Sequence, residues 1–256
     1  MLSKRRFLRA VSRVLAVAIC TAAYSQDAGP SRVLFDRMPS DVGPVVGALG
    51  RRVQAAGKEQ TVYAGQFLNP AGNPADVRVS HQLPGLVKLQ GFLPGDAVAS
   101  FDGNRPSGAV GRMAEILLET FVHDLAEGML SSVQQGAASR LLGRGFKPSA
   151  RVAPNYTGPS YDIYEVTAPV RSRQGQVERL KRYYFDTRTG LLLSTRYTDN
   201  QVSPAVNVDT RFSNWVRVDD SSYPGRIDRY EDGQLVFSFI VSAVTAGRRI
   251  DPSSFR

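Results

Sequence analysis

Alternation of polar and apolar residues governs the second half of this chain. Six runs, Tyr161–Val170, Gln176–Asp186, Leu191–Thr198, Val206–Val218, Tyr223–Glu231 and Leu235–Thr245, follow a period of two. Successive side chains of a strand point to opposite faces, so this period predicts strands with one buried face. Asp186-Thr187-Arg188-Thr189-Gly190, Asp219-Asp220-Ser221-Ser222 and Asp232-Gly233 separate the runs, and Asp232-Gly233 reads as a two-residue hairpin turn. Strands joined so closely in sequence pair antiparallel.

A shorter series precedes them. Tyr63, Gly65 and Phe67 alternate with Val62, Ala64 and Leu68; then come Val77 to Leu83, Leu86 to Leu93 and Ala97 to Phe101. Asn69-Pro70-Ala71-Gly72-Asn73-Pro74, Pro84-Gly85, Pro94-Gly95-Asp96 and Asp102-Gly103 supply the turns, which predicts a meander. Two helices interrupt the pattern. Pro39-Ser40-Asp41 opens the first, with Val42, Val45, Val46, Leu49 and Val53 as its apolar positions and Gly57 as its stop. The second, over 109–135, shows one apolar stripe of Val110, Met113, Leu117, Phe121, Leu125 and Met129, widened by Ile116 and Leu130. The segment between this helix and Tyr161 reads as a basic loop. About ten strands are too many for a flat open sheet, so the expected fold is α+β: a strongly curved antiparallel sheet, an incomplete barrel, around one long and one shorter helix.

Residues 1–25 read as a secretory signal peptide. Lys4, Arg5, Arg6, Arg9 and Arg13 form a basic start, Val14 to Cys20 an apolar run too short to span a bilayer, and Ala23-Tyr24-Ser25 a small-residue exit. Ser3-Lys4-Arg5-Arg6-Phe7-Leu8-Arg9 resembles a twin-arginine export motif with lysine in first place, and either export route leads out of the cytoplasm, to the periplasm. Ile19 before Cys20 is bulkier than a lipidation site accepts. Cleavage after Ser25 removes the only cysteine and takes the formal net charge from +9 to +4, which withdraws the main support for nucleic-acid binding. Residues 26–38 follow as a mature tail, and residues 39–256 as one domain. With 42% hydrophobic and 21% charged residues the composition is that of an ordinary globular protein. Two histidines leave little material for a metal centre, and no cofactor is expected.

A curled sheet with a helix in its mouth either packs solid or leaves an apolar cavity. If a cavity is present, the strand registers and helix stripe make Phe67, Leu89, Leu117, Phe121, Tyr184, Leu193, Trp215, Phe237 and Phe239 its walls. Arg140, Arg144, Lys147 and Arg151, interleaved with Leu141, Leu142 and Phe146, lie in a stretch without acids. Such a segment suits docking on an anionic headgroup, a membrane surface or an acidic protein partner, and equally suits a solvated loop. Glu115, Glu119, His123 and Glu127 stand at four-residue steps, as on a wet helix face or, less simply, around a divalent cation. His81 shares the apolar register of Val77, Val79 and Leu83 and reads as a core histidine. No mature cysteine, Gly-x-Ser-x-Gly elbow or phosphate-cradling glycine loop is present, so no enzyme is expected.

The order of short motifs carries a family likeness. Tyr183-Tyr184-Phe185-Asp186-x-x-Thr189-Gly190-Leu191-Leu192, Thr210-Arg211-Phe212-Ser213-Asn214-Trp215-x-x-Val218-Asp219, Tyr223-Pro224-Gly225-Arg226-Ile227 and Gly233-x-Leu235-Val236 resemble the carboxy-terminal half of the LolA/LolB-like lipoprotein-carrier superfamily. Leu83-Pro84 and Phe101-Asp102-Gly103 resemble its amino-terminal half. The resemblance implies an exported half-barrel around helices that holds acyl chains of lipids or lipoproteins. It also admits an envelope sensor or interaction protein that works through its surface on a protein partner, with a filled core. The arginine with which the carriers latch their lid is not placed by these motifs.

Overall fold

A computed structural model describes residues 59–255 other than 71, 84, 92–97, 103–105, 109–110, 149–154, 173–174 and 220. The expectations for residues 1–25, 26–38 and 39–57, for Pro94-Gly95-Asp96, and for Val110 and Arg151 fall outside the described residues.

The first-half alternation forms β1 (Glu59–Leu68), β2 (Ala75–Gln82), β3 (Leu86–Gln90), β4 (Ala99–Asp102) and the short β5 (Pro106–Ser107). The second half forms β7 (Tyr161–Ser172), β8 (Gly175–Asp186), β9 (Leu192–Asp199), β10 (Val206–Ser213), β13 (Arg226–Glu231) and β14 (Gln234–Arg248). Two runs read as single strands are broken. Asn214 adopts a left-handed φ of 52°, and the chain makes a separate small hairpin of β11 (Val216–Val218) and β12 (Ser221–Tyr223) before re-joining the sheet at Arg226. Gly225 lets the two backbones close there, since a Cβ on it would lie 2.1 Å from the Asn214 carbonyl oxygen.

The first part of the segment read as a basic loop is in fact a strand. β6 (Ala138–Phe146) pairs with β7, with register shifts between Leu141 and Gly143 and between Gly143 and Phe146. The long helix is also corrected. It is two short helices, α1 (Arg112–Glu119) and α2 (Ala126–Gln134), joined by a wide π turn at Thr120–Asp124 and by Leu125, whose ψ of 157° is extended. Gly128 permits the break, because a Cβ there would sit 2.3 Å from the carbonyl oxygen of Val122 in the π turn.

Twelve strands form one sheet in the order β5-β4-β3-β2-β1-β14-β13-β10-β9-β8-β7-β6. The last long strand pairs with the first, which fuses two antiparallel halves. The edges, β5 and β6, are the strands that flank the helices in sequence, so the helical segment carries the chain from one edge to the other across the open side. The curl follows from who touches the helices. β2 and β8 are six strands apart, about 29 Å in a flat sheet, yet His81 of β2 lies 6.4 Å from the ring of Phe121 while Lys181 of β8 bonds Asp124 three residues on. Bulges at Ala64/Gly65 and Arg229/Tyr230 add local bend.

Candidate functional site: an aromatic wall and an ion network under the helices

The helical segment meets two different kinds of sheet surface. On the β1, β2, β3 and β14 side the contact is aromatic. Tyr63 and Phe121 rings stand 5.2 Å apart, Phe121 and Phe239 6.0 Å, and Phe67 and Phe237 5.2 Å. The structure thus brings together six of the nine candidate wall residues, Phe67, Leu89, Leu117, Phe121, Phe237 and Phe239, all buried in one core. They fill the space with one another. Trp215 is partly buried and packs against that core. Tyr184 and Leu193 go elsewhere: they alternate with the buried Tyr183, Phe185 and Leu192, and Tyr184 lies under the exposed Arg196 on the outer face.

On the β8, β9, β10 and β13 side the contact is ionic. Alternation places Arg179 and Lys181 in phase with Tyr183 and Phe185, and Arg229 in phase with Ile227, so three cations point at the helices and are almost wholly buried. Asp124, in the π turn, answers them. Its Oδ1 accepts from Lys181 Nζ at 2.5 Å, its Oδ2 accepts from Thr210 Oγ1 at 2.9 Å and lies 3.6 Å from Arg229, and its carbonyl accepts from Thr195 Oγ1 at 2.7 Å. Arg179 pairs with Glu119 of α1 and donates to Asp199 at 2.8 Å. Arg229 donates to Tyr197 Oη at 3.0 Å and pairs with Glu231 at 3.3 Å. The Tyr197 ring lies 4.2 Å from Lys181 Nζ and 4.9 Å from the Arg179 guanidinium, a cation–π platform inside the protein. Tyr183 Oη donates to the His123 carbonyl at 2.8 Å.

The charges set the protonation states. Burial alone would raise the Glu119 carboxyl, but Lys181, Arg179 and Arg229 outweigh it and hold its pKa down to about 2. Burial, helped by Lys181, pushes the His123 imidazole down to about 3, so it is neutral at pH 7. The four-residue spacing of Glu115, Glu119, His123 and Glu127 predicts one stripe of a continuous helix, whether a wet face or a cation site. The π turn and the break at Leu125 overturn that: Glu119 serves Arg179, and Glu127 is buried.

Arg140 and Arg144 stand on the edge strand β6 and Lys147 just beyond it, and Arg140 pairs with Glu165 at 2.5 Å. Leu142 and Phe146 beside them are exposed. Among the described residues, cavities lie apart from the six packed wall residues. One, about 230 Å³, is bounded by Phe101, Val122, His123 and Ser131 together with Ala168 and Gln176, between the helices and the two sheet edges. Another, about 790 Å³, lies along β8, β9 and β10 and is bounded by Arg182, Tyr184, Arg196, Asp209, Arg211 and Tyr230 among others. Among the described residues no helix is long and apolar enough to cross a membrane.

No protein-family model and no curated protein matches this chain. Solved structures do. A LolA superfamily protein from Nitrosomonas europaea is 12% identical, with a TM-score of 0.51 over 82% of this chain and 98% of its own. A domain from Vibrio parahaemolyticus, provisionally described as an outer membrane lipoprotein-sorting protein, is 9% identical, with a TM-score of 0.50 over 81% of this chain and 94% of its own. A DUF1329 family protein from Desulfovibrio piger is 12% identical, with a TM-score of 0.48 over 89% and 97%. The curled antiparallel sheet, the helices that bridge its edges and the two higher-scoring likenesses agree: this chain has a LolA-like fold.

Proposed function

We propose that this is an exported, non-enzymatic cell-envelope protein that binds an acyl chain of a lipid or lipoprotein between its helices and its aromatic wall, in the manner of a carrier. In this reading residues 1–25 are removed on export to the periplasm, and 39–256 form the working domain. One observation carries the proposal. The segment that lays Phe121 on Tyr63 and Phe239 runs between the sheet's two edges, so lifting it would uncover the aromatic wall. An acyl chain would then replace Leu117 and Phe121 against the wall, exchanging one apolar contact for another at about 0.8 kcal/mol per buried methylene. The ion pairs to Glu119 and Asp124 oppose the lift and set its cost.

A second reading has support in the same core. The wall residues are packed against each other, which suits an envelope interaction or sensor protein with a filled interior and a working surface. Lipid extraction and native mass spectrometry of protein purified from envelope-bearing cells separate the two. Co-purifying lipid is expected; its absence, together with no uptake of added fatty acid, rejects the carrier reading.

A further inference from the structure

We propose that the outer face of the sheet binds a phosphate-bearing ligand between Arg182 and Arg196. The proposal is independent of the acyl-binding reading, because this face looks away from the helices. Strand register carries the first step. Arg140, Glu165, Arg182, Arg196, Asp209 and Tyr230 are successive cross-strand partners from β6 to β13, one row across the sheet. Within it Arg182 and Arg196 are direct partners, and like charges placed opposite each other on a sheet destabilise it.

The neighbouring acids do not cancel that repulsion. Glu165 serves both Arg140 and Arg182, and Asp209 serves both Arg196 and Arg211, so four guanidiniums share two carboxylates. Within the row itself three guanidiniums face two carboxylates, which leaves one positive charge over.

Geometry then shows how an anion would be held. Arg182 reaches Glu165 through Nε at 3.0 Å; Arg196 reaches Asp209 through Nε at 3.3 Å and Ser194 through the same atom at 3.1 Å. Both side chains are 50% exposed, so their forks are open to a ligand from solvent. The Arg196 guanidinium lies over the Tyr184 ring, 4.7 Å from its centre, which restrains that fork. A guanidinium fork matches phosphate oxygens in paired, charge-assisted hydrogen bonds, and an anion between two forks offsets the repulsion. The adjoining cavity of about 790 Å³ has room for the group that the phosphate is esterified to.

The source of the phosphate is separated by two arms. The full chain is titrated by calorimetry with inorganic phosphate and pyrophosphate at low salt, and is sedimented with vesicles of phosphatidylglycerol in phosphatidylcholine against phosphatidylcholine alone. Saturable binding in the first arm identifies a free phosphate compound; binding in the second arm only identifies a lipid headgroup. In either case Arg182→Gln with Arg196→Gln lowers affinity at least tenfold, and Arg182→Lys with Arg196→Lys does not restore it, because lysine lacks the fork. The Nε–Hε resonances of Arg182 and Arg196 in the unmodified protein shift with the ligand, a readout that survives any folding defect of the variants. Absence of binding in both arms, equal binding by the glutamine variant, or ligand-induced shifts confined to other residues overturns the proposal.

Discussion

Lys181 Nζ donates to Asp124 Oδ1 at 2.5 Å, and neither side chain has appreciable contact with solvent. This bond joins the π turn to β8, the third strand from the β6 edge, and Asp124 also receives Thr210 and stands beside Arg229. Removing the carboxylate therefore leaves buried Lys181 without its bonded anion and takes a second carboxylate from Arg229, which keeps Glu231. Breaking a buried pair by deleting one partner costs about 3–5 kcal/mol, since the remaining charge keeps its desolvation penalty. Asp124→Ala is expected to lose that much in urea unfolding. Loss below about 1 kcal/mol would mean that water reaches the network and the pairs behave as surface pairs.

Acid should loosen the same interface in two stages. His123 has a folded pKa of about 3 against an ordinary 6.5, so the unfolded chain takes up its proton first as pH falls. Stability tied to neutral His123 is complete above about 6.5 and declines from there down to 3. Glu119 falls from 4.5 to about 2 on folding, so its contribution is complete above 4.5 and is lost as pH drops toward 2. Each proton adds a slope of about 1.4 kcal/mol per pH unit within its window. Unfolding free energies measured between pH 7 and 5 should decline in the native protein and lose most of that slope in His123→Gln. An unchanged slope in the variant would assign the effect to other groups.

Much of the sheet could be read from the period of two, because strands with one face toward helices separate polar from apolar at every step. The same rule explains what was missed. Arg179, Lys181 and Arg229 occupy inward positions of otherwise apolar registers, and that mismatch was the available signal for the ion network. β6 escaped because Gly143 and Gly145 and four closely spaced basic residues read as loop, whereas the strand is an irregular edge that pairs on one side only. The break at Leu125 has no proline to announce it; only Gly128, three residues later, hints that a backbone must pass close by. Among the wall candidates, alternation alone does not say which of two adjacent residues faces in; Tyr183, Phe185 and Leu192 do, and Tyr184 and Leu193 beside them face out.

The bulge at Gly65 is a backbone contact that tolerates no side chain. A Cβ there would lie 2.2 Å from the carbonyl oxygen of Ile240, on the strand that joins the two halves of the sheet. Relief requires β1 and β14 to part, and both carry members of the aromatic core. Gly65→Ala is expected to destabilise by about 1–3 kcal/mol, the range for overpacking a tight site. Gly233→Ala makes a useful control, since a Cβ meets nothing within 4 Å there and only the positive φ of 81° is strained. Thermal melts should rank Gly65→Ala as the less stable of the two.

The wall and its cover can be told apart by their effects on an acyl probe. Phe121 belongs to the helical segment, while Phe237 and Phe239 belong to the sheet that remains when the segment lifts. Truncating any of them to alanine removes a large buried ring and costs about 3–5 kcal/mol. Their effects on binding differ in sign if the segment is a cover. Phe121→Ala weakens the closed state only, so a fluorescent fatty acid should bind more tightly; Phe239→Ala removes surface the ligand itself needs, so binding should weaken. Asp124→Asn acts as Phe121→Ala does, by loosening the ionic side of the same cover without touching the wall. Parallel losses of binding in all three variants would point to general unfolding rather than a cover that opens.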